Sequence, residues 1–171
     1  ETLVAAREVF TEALANIDQD ARPCEWSYTK LNILTCDVMI GLRTGDREKL
    51  RRAVRSLESC TIEASGLPCP HCKQEACKKL LQARAEMLSR FWDESEWQDA
   101  LAATVKHAEE SSVKTEDHYW DARGMILSLM YTGLRNLDAV EKLQLLADSY
   151  CDDALAIPDT VSPAAREHFI G

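Results

Sequence analysis

Apolar positions recur every three to four residues along nearly the whole chain, and no stretch keeps the alternation of apolar and polar residues that a half-buried strand requires. Leu3, Ala6, Val9, Phe10, Ala13, Leu14 and Ile17 share one stripe, which predicts a leading helix from about Thr2 to Ile17, closed off before Pro23. Leu31, Leu34, Val38 and Leu42 define a second helix, Ser27 to Leu42, with Ser27 in the N-cap place. The turn Arg43-Thr44-Gly45-Asp46 leads into a third, Arg47 to Cys60. Beyond a cysteine-rich loop the pattern resumes over Gln74 to Phe91, and Asp93-Glu94-Ser95 turns it into Glu96 to Glu110. A polar stretch, Glu109 to Asp117, precedes Tyr119 to Leu134, and a turn near Asn136 leads to Asp138 to Ala156. Pro158 and Pro163 punctuate the remainder. The expected fold class is therefore all-α, about seven helices arranged as one leading helix and three antiparallel helical hairpins.

Composition agrees with the pattern. Leu, Ala, Glu, Lys and Arg are abundant, whereas only six Gly and five Pro occur in 171 residues. That length suits a single domain spanning residues 1–171, with enough core to fold without covalent staples. The chain opens at Glu1, already inside an amphipathic pattern, so it is expected to be a window from a longer polypeptide. No apolar run reaches the ~18 to 20 residues that span a bilayer, and the first thirty residues lack a signal-peptide pattern. An intracellular protein, cytoplasmic or nuclear, is expected.

The second helices of the three hairpins open alike. Gly45-Asp46-Arg47-Glu48-Lys49-Leu50, Ser95-Glu96-Trp97-Gln98-Asp99-Ala100-Leu101 and Leu137-Asp138-Ala139-Val140-Glu141-Lys142-Leu143 occupy corresponding places, and Gly41-Leu42-Arg43 returns as Gly133-Leu134-Arg135. Cys151-Asp152-Asp153-Ala154-Leu155-Ala156-Ile157-Pro158-Asp159 resembles the close of a tetratricopeptide repeat, and Phe10 to Asp18 resembles the same segment without its proline. The Gly-Asp-x-x-x-Leu turn is similar to the mid-repeat turn of that family. Corresponding turns lie about 50 and then 42 residues apart rather than ~34. The resemblance therefore implies a TPR-like α-solenoid of irregular period, whose role would be to bind a partner polypeptide in a groove. An open solenoid end would also let copies of the chain pair.

Charge is unevenly placed. The net value of −9 speaks against a general nucleic-acid binder. Yet residues Arg43 to Arg84 hold ten Lys/Arg against five Asp/Glu, and Glu86 to Gly171 hold seven against seventeen. Arg43, Arg47, Arg51 and Arg55 fall at i, i+4 spacing along one side of the third helix and its preceding turn. Guanidiniums grip carboxylates and phosphates bidentately, so an acidic partner, a phosphopeptide or RNA would suit this stripe. The competing reading is a solvated face neutralised by Glu48 and Glu58. No aromatic residue lies between Arg43 and Arg84 to stack on bases, which ranks RNA below an acidic protein.

The sharpest chemical signal is Cys60-x8-Cys69-Pro70-His71-Cys72-x4-Cys77. A CxxC turn aims two sulfurs at one point, and two further cysteines complete the four soft ligands of a closed structural zinc. The expected ligands are Cys60, Cys69, Cys72 and Cys77, in an insertion over about 60–77 that clamps the first hairpin to the second; His71 is an alternative donor. Seven cysteines, an odd number without a secretory context, fit a reduced compartment. CPHC is also the active-site tetrapeptide of DsbA-like oxidoreductases. In that fold the motif follows a buried strand, and here polar residues Thr61 to Gly66 precede it. Trp92, Trp97 and Trp120, with Phe91, Tyr119 and Tyr131, read mainly as core. His107 and His118 match no ligand spacing, and HExxH, GxSxG, phosphate-loop and GxGxxG patterns are missing. The sequence therefore points to a non-catalytic protein–protein interaction scaffold stiffened by zinc, with a phosphopeptide or RNA binder and a thiol–disulfide oxidoreductase as the alternatives.

Overall fold

The computed structural model describes residues 2–110 and 117–137, with isolated positions at 147, 148 and 152. All regular structure among the described residues is helical: α1 (Thr2–Ala15), α2 (Pro23–Thr44), α3 (Arg47–Ser65), α4 (Pro70–Arg90), α5 (Glu94–Glu110) and α6 (Asp117–Asn136). The all-α class holds. The seventh helix expected over residues 138–156, and with it the tetratricopeptide-like close at Cys151 to Asp159, lies outside the described residues. Among the described residues no helix is long and apolar enough to cross a membrane.

Compactness divides the chain into two units, Glu1–Met87 and Leu88–Gly171. In the first, α2 packs against both α1 and α3. Leu31, Val38 and Leu42 of α2 and Leu50, Val54 and Leu57 of α3 are buried, which is the 3.6-residue stripe read from the sequence. The turn between them is built by its own chemistry. Gly45 takes a left-handed φ of 67° and caps α2 through its N–H, while Asp46 accepts a hydrogen bond from the Lys49 N–H at 2.9 Å to cap α3. Gly41 lies so close to the Leu50 backbone that an added Cβ would stand 3.1 Å from its N and Cα. Helix α1 is different: no residue of it is buried, and its Arg7 side chain pairs with Asp37 of α2 at 2.7 Å.

Helix α4 is tied to α3 by Thr61 Oγ1, which donates to the Ala76 carbonyl at 3.4 Å, and by an ion pair between Arg84 and Glu58. Leu80, Leu81 and Ala83 are buried along it.

In the second unit α5 packs against α6. Ala108, Ala122 and Ile126 form a small core, with Leu101 and Met130 against it. The Trp97 indole N–H donates to the Leu129 carbonyl at 2.7 Å, and its ring fills the space beside Gly133. The sequence echo Gly41-Leu42-Arg43 and Gly133-Leu134-Arg135 is thus not an echo in packing. Gly41 faces Leu50 of the helix that follows it, whereas Gly133 faces Trp97 of the helix that precedes it.

Two boundaries matter for the site. Ser27 is no N-cap: α2 starts four residues earlier, at Pro23, and leaves Ser27 buried inside the helix. Proline is favoured in the first position of a helix because its missing N–H has no intrahelical role there. The cysteine-rich segment is likewise less of a loop than expected. Helix α3 runs on to Ser65 and α4 begins at Pro70, so only residues 66–69 connect them.

Candidate metal centre

Pro23 and Pro70 each open a long helix, and a cysteine follows each closely: Cys24 in α2, Cys72 in α4, with Cys69 just ahead of Pro70. The two helix starts meet. The sulfurs of Cys24, Cys69 and Cys72 all lie within 4.8 Å of one another, the one such group of three or more metal-binding side chains among the described residues. The Cys72 thiol also donates to the Cys24 carbonyl at 3.7 Å, 48 residues away in sequence. Cys72 is buried, whereas Cys24 and Cys69 are half-buried, so the group opens to solvent on one side.

Electrostatics separates the three thiols. Cys69 is held below its ordinary pKa, first by the neighbouring Cys72 side chain, then by the Cys72 backbone N–H, with further help from Cys24 and the His71 N–H. These backbone donors are the unpaired N–H groups of the first turn of α4, the positive end of its dipole. Cys72 is pushed up to about 12, by burial first and then by the neighbouring Cys69. Cys24 is raised as well, by desolvation and then by its hydrogen bond to Cys69. One thiol lowered and two raised is the arrangement expected of three thiols sharing a small volume, because they cannot all ionise together.

The structure brings together Cys69 and Cys72 of the expected ligand set and replaces the other two by one cysteine that the sequence reading had passed over. Cys60 lies within α3, fully buried, with its thiol raised first by burial; it is a core thiol beside Ser27 of α2. Cys77 lies five residues beyond Cys72 on the continuous helix α4, which carries it ~7.5 Å along the axis and away from the helix start. The helices in which they sit leave both outside the group that the structure brings together. His71 also stays out of the group; its exposed ring stacks with Tyr28 at 6.3 Å between centroids.

The signal that identifies Cys24 is Pro23. Read as the stop after α1, it left Cys24 in a linker; read as the first residue of α2, it places Cys24 at a helix start, as Pro70 does for Cys72.

The arginine stripe is present but uneven. Arg47 and Arg55 are exposed on α3, and Arg43 is exposed in the last turn of α2. Arg51 is half-buried with the Glu48 carboxylate 3.9 Å away, and Arg84, which would have extended the patch, is engaged by Glu58. Among the aromatics, Trp120 is buried as the core reading predicts, whereas Phe91, Trp92 and Trp97 are half-buried, with Trp92 tilted against Trp97 at 5.6 Å, and Tyr131 is 54% exposed.

No family model, no curated protein and no solved structure matches this chain.

Proposed function

We propose that the protein is a TPR-like helical interaction module in which Cys24, Cys69 and Cys72 bind zinc and so pin the start of α4 to the start of α2. The observation that carries this reading is the convergence of three sulfurs from two helix starts, beside a hydrogen bond that already links Cys72 to Cys24 across 48 residues of sequence. Thiolates are the preferred donors of structural zinc, and helix N-termini favour the anionic form that the metal needs. Three sulfurs account for three tetrahedral vertices and leave the fourth for water. Such a clamp sets the angle of α4 against the α2–α3 pair, which is what an interaction surface made of stacked helices requires.

The partner surface in this reading is the basic edge formed by Arg43, Arg47, Arg51 and Arg55, and the partner an acidic protein segment. Exposure of Arg43, Arg47 and Arg55 on one turn-and-helix edge supports it.

Metal analysis of the purified chain tests the clamp. About one zinc per chain is expected, lost in Cys24→Ser and Cys69→Ser and retained in Cys60→Ser and Cys77→Ser. Less than about half an equivalent in the parent protein, or loss in Cys77→Ser instead of Cys24→Ser, overturns it. Binding of a fluorescent polyglutamate peptide, weakened by charge reversal at Arg47 and Arg55, tests the surface; binding that ignores both the reversal and added salt removes it.

A further inference from the structure

The sulfurs that meet at the starts of α2 and α4 suit a second kind of guest. We infer that the group takes up a trivalent metalloid, arsenic(III) entering as arsenous acid, and holds it as a three-coordinate centre bonded to Cys24, Cys69 and Cys72 together. The inference rests on the reading that these three cysteines act as one site; it does not depend on zinc being the ion they ordinarily bind.

The number of donors is the first observation. Among the described residues the group consists of three thiols, and no fourth His, Cys, Asp or Glu joins it. Zinc takes four ligands and must find the last of them in solvent here. Arsenic(III) makes three bonds in a trigonal pyramid, and its lone pair fills the remaining direction, so three sulfurs complete it. The second observation is chemical state: Cys24, Cys69 and Cys72 are all free thiols, and thiols are the donors that select soft centres over the hard cations held by carboxylates. Size is the third. Bonds of ~2.3 Å, the length of a zinc–thiolate bond, meeting at near-right angles span pyramid edges of roughly 3.4 Å. The sulfurs lie within 4.8 Å of one another, so each edge has to close by no more than about 1.4 Å, which side-chain torsions supply. Cys24 is what makes the site tridentate. A CxxC pair alone is a dithiol, which leaves a hydroxyl on the arsenic, and the third bond comes only from the other helix start.

The chemistry closes without further reagents. Arsenous acid carries three hydroxyl groups. Each cysteine sulfur forms a bond to arsenic, one As–O bond breaks, and the hydroxyl leaves as water with the proton of the thiol. One arsenous acid and three thiols become one tris-thiolate centre and three waters, and arsenic stays trivalent, so nothing is oxidised or reduced. Entry is through the side of the group that Cys24 and Cys69, both half-buried, leave open to solvent. The product has no net charge, so enclosing it beside the buried Cys72 carries little desolvation cost. Its bonds join the start of α2 to the start of α4, where the Cys72 thiol already reaches the Cys24 carbonyl.

The test titrates the full chain, chelated and kept reduced by a phosphine, with sodium arsenite, and reads the product by native mass spectrometry and arsenic X-ray absorption. The expected product is a chain whose mass has grown by one arsenic less three hydrogens, with three sulfur neighbours and no oxygen on the arsenic. Phenylarsine oxide, which has two bonds to give, is the control. Cys24→Ser should weaken arsenite binding roughly a hundredfold or more, since one of three linked bonds is lost, and should leave phenylarsine oxide binding as in the parent. Cys60→Ser and Cys77→Ser should bind arsenite as the parent does. Two sulfurs and an oxygen on the arsenic in the parent chain, arsenite binding that ignores Cys24→Ser, or binding lost in Cys77→Ser overturns the inference. The absorption spectrum of the parent decides it alone, should a variant fail to fold. Zinc content of the untreated chain is measured in parallel. Three-sulfur arsenic in a chain that comes without zinc would end the zinc reading and leave this one standing, and zinc held through Cys24 together with two-sulfur arsenic would do the reverse.

Discussion

The Cys72 thiol donates to the backbone carbonyl of Cys24 at 3.7 Å, joining the first turn of α4 to the first turn of α2. This contact crosses between the two helix starts that hold the three sulfurs, and it is available only while Cys72 keeps its proton.

Alkaline pH should therefore loosen the metal-free fold. Cys72 is raised in the folded state, from 9.0 to about 12, so its contribution is complete below pH 9 and is lost as pH climbs from 9 towards 12. Cys69 is lowered, so its contribution is present above pH 9 and fades as pH falls through its folded value. Urea midpoints of the chelated chain should rise towards pH 9 and fall beyond it. Cys72→Ala should flatten the alkaline limb, and an unchanged alkaline limb in that variant would refute the assignment.

Metal binding should release protons. With Cys24 and Cys72 both raised and Cys69 lowered, binding to three thiolates at neutral pH should expel roughly two to three protons. Calorimetry in buffers of different ionisation enthalpy reads this number directly, and apparent affinity should drop as the solution is acidified. Release of fewer than about one proton would show that other groups hold the ion.

Gly133→Ala should be among the most damaging small substitutions in the chain. A Cβ there would sit 2.3 Å from the Trp97 ring, and that ring cannot swing away without breaking its 2.7 Å hydrogen bond to the Leu129 carbonyl. A loss of ~1–3 kcal/mol in urea unfolding is expected, with a changed Trp fluorescence maximum. Trp97→Leu in the same chain should recover part of the loss.

The turn after α2 offers a graded series. Gly45→Ala places a side chain at φ 67° and should cost ~1–2 kcal/mol. Asp46→Ala removes the cap on the Lys49 N–H and should cost ~0.5–2 kcal/mol. Circular dichroism melts should separate both from Thr44→Ala, whose side chain only bonds back to its own helix.

Helix α1 should be the first of the described helices to open. It buries no residue, and its link to α2 through Arg7 and Asp37 is partly exposed, so the pair contributes only ~0.2–1 kcal/mol. Amide exchange over residues 2–15 should outpace that over α2 and α3, and Arg7→Ala should speed it further. Protection equal to that of α3 would contradict this.

Much of the fold could be read from the chain because helical periodicity is a local property. The stripe of Leu50, Val54 and Leu57 announces a buried face wherever the helix finally packs, and Gly45-Asp46 announces the stop and the start beside it, since a left-handed residue and an N-cap are demanded by backbone chemistry alone. Cys69 and Cys72 were legible for the same reason, being three residues apart in one turn.

The third sulfur was a different matter. Sequence spacing nominated Cys60 and Cys77 because they are near in the chain, but each is carried off by the helix in which it sits, one into the interface with α2 and one ~7.5 Å along α4. Cys24 comes from 48 residues before Cys72, and only the packing of α4 against the start of α2 brings it there. By itself the sequence determined which segments coil and which faces are apolar, because those depend on neighbours three and four residues away. Tertiary structure alone decided which cysteines meet, because that depends on where rigid helices begin and how their ends are brought together.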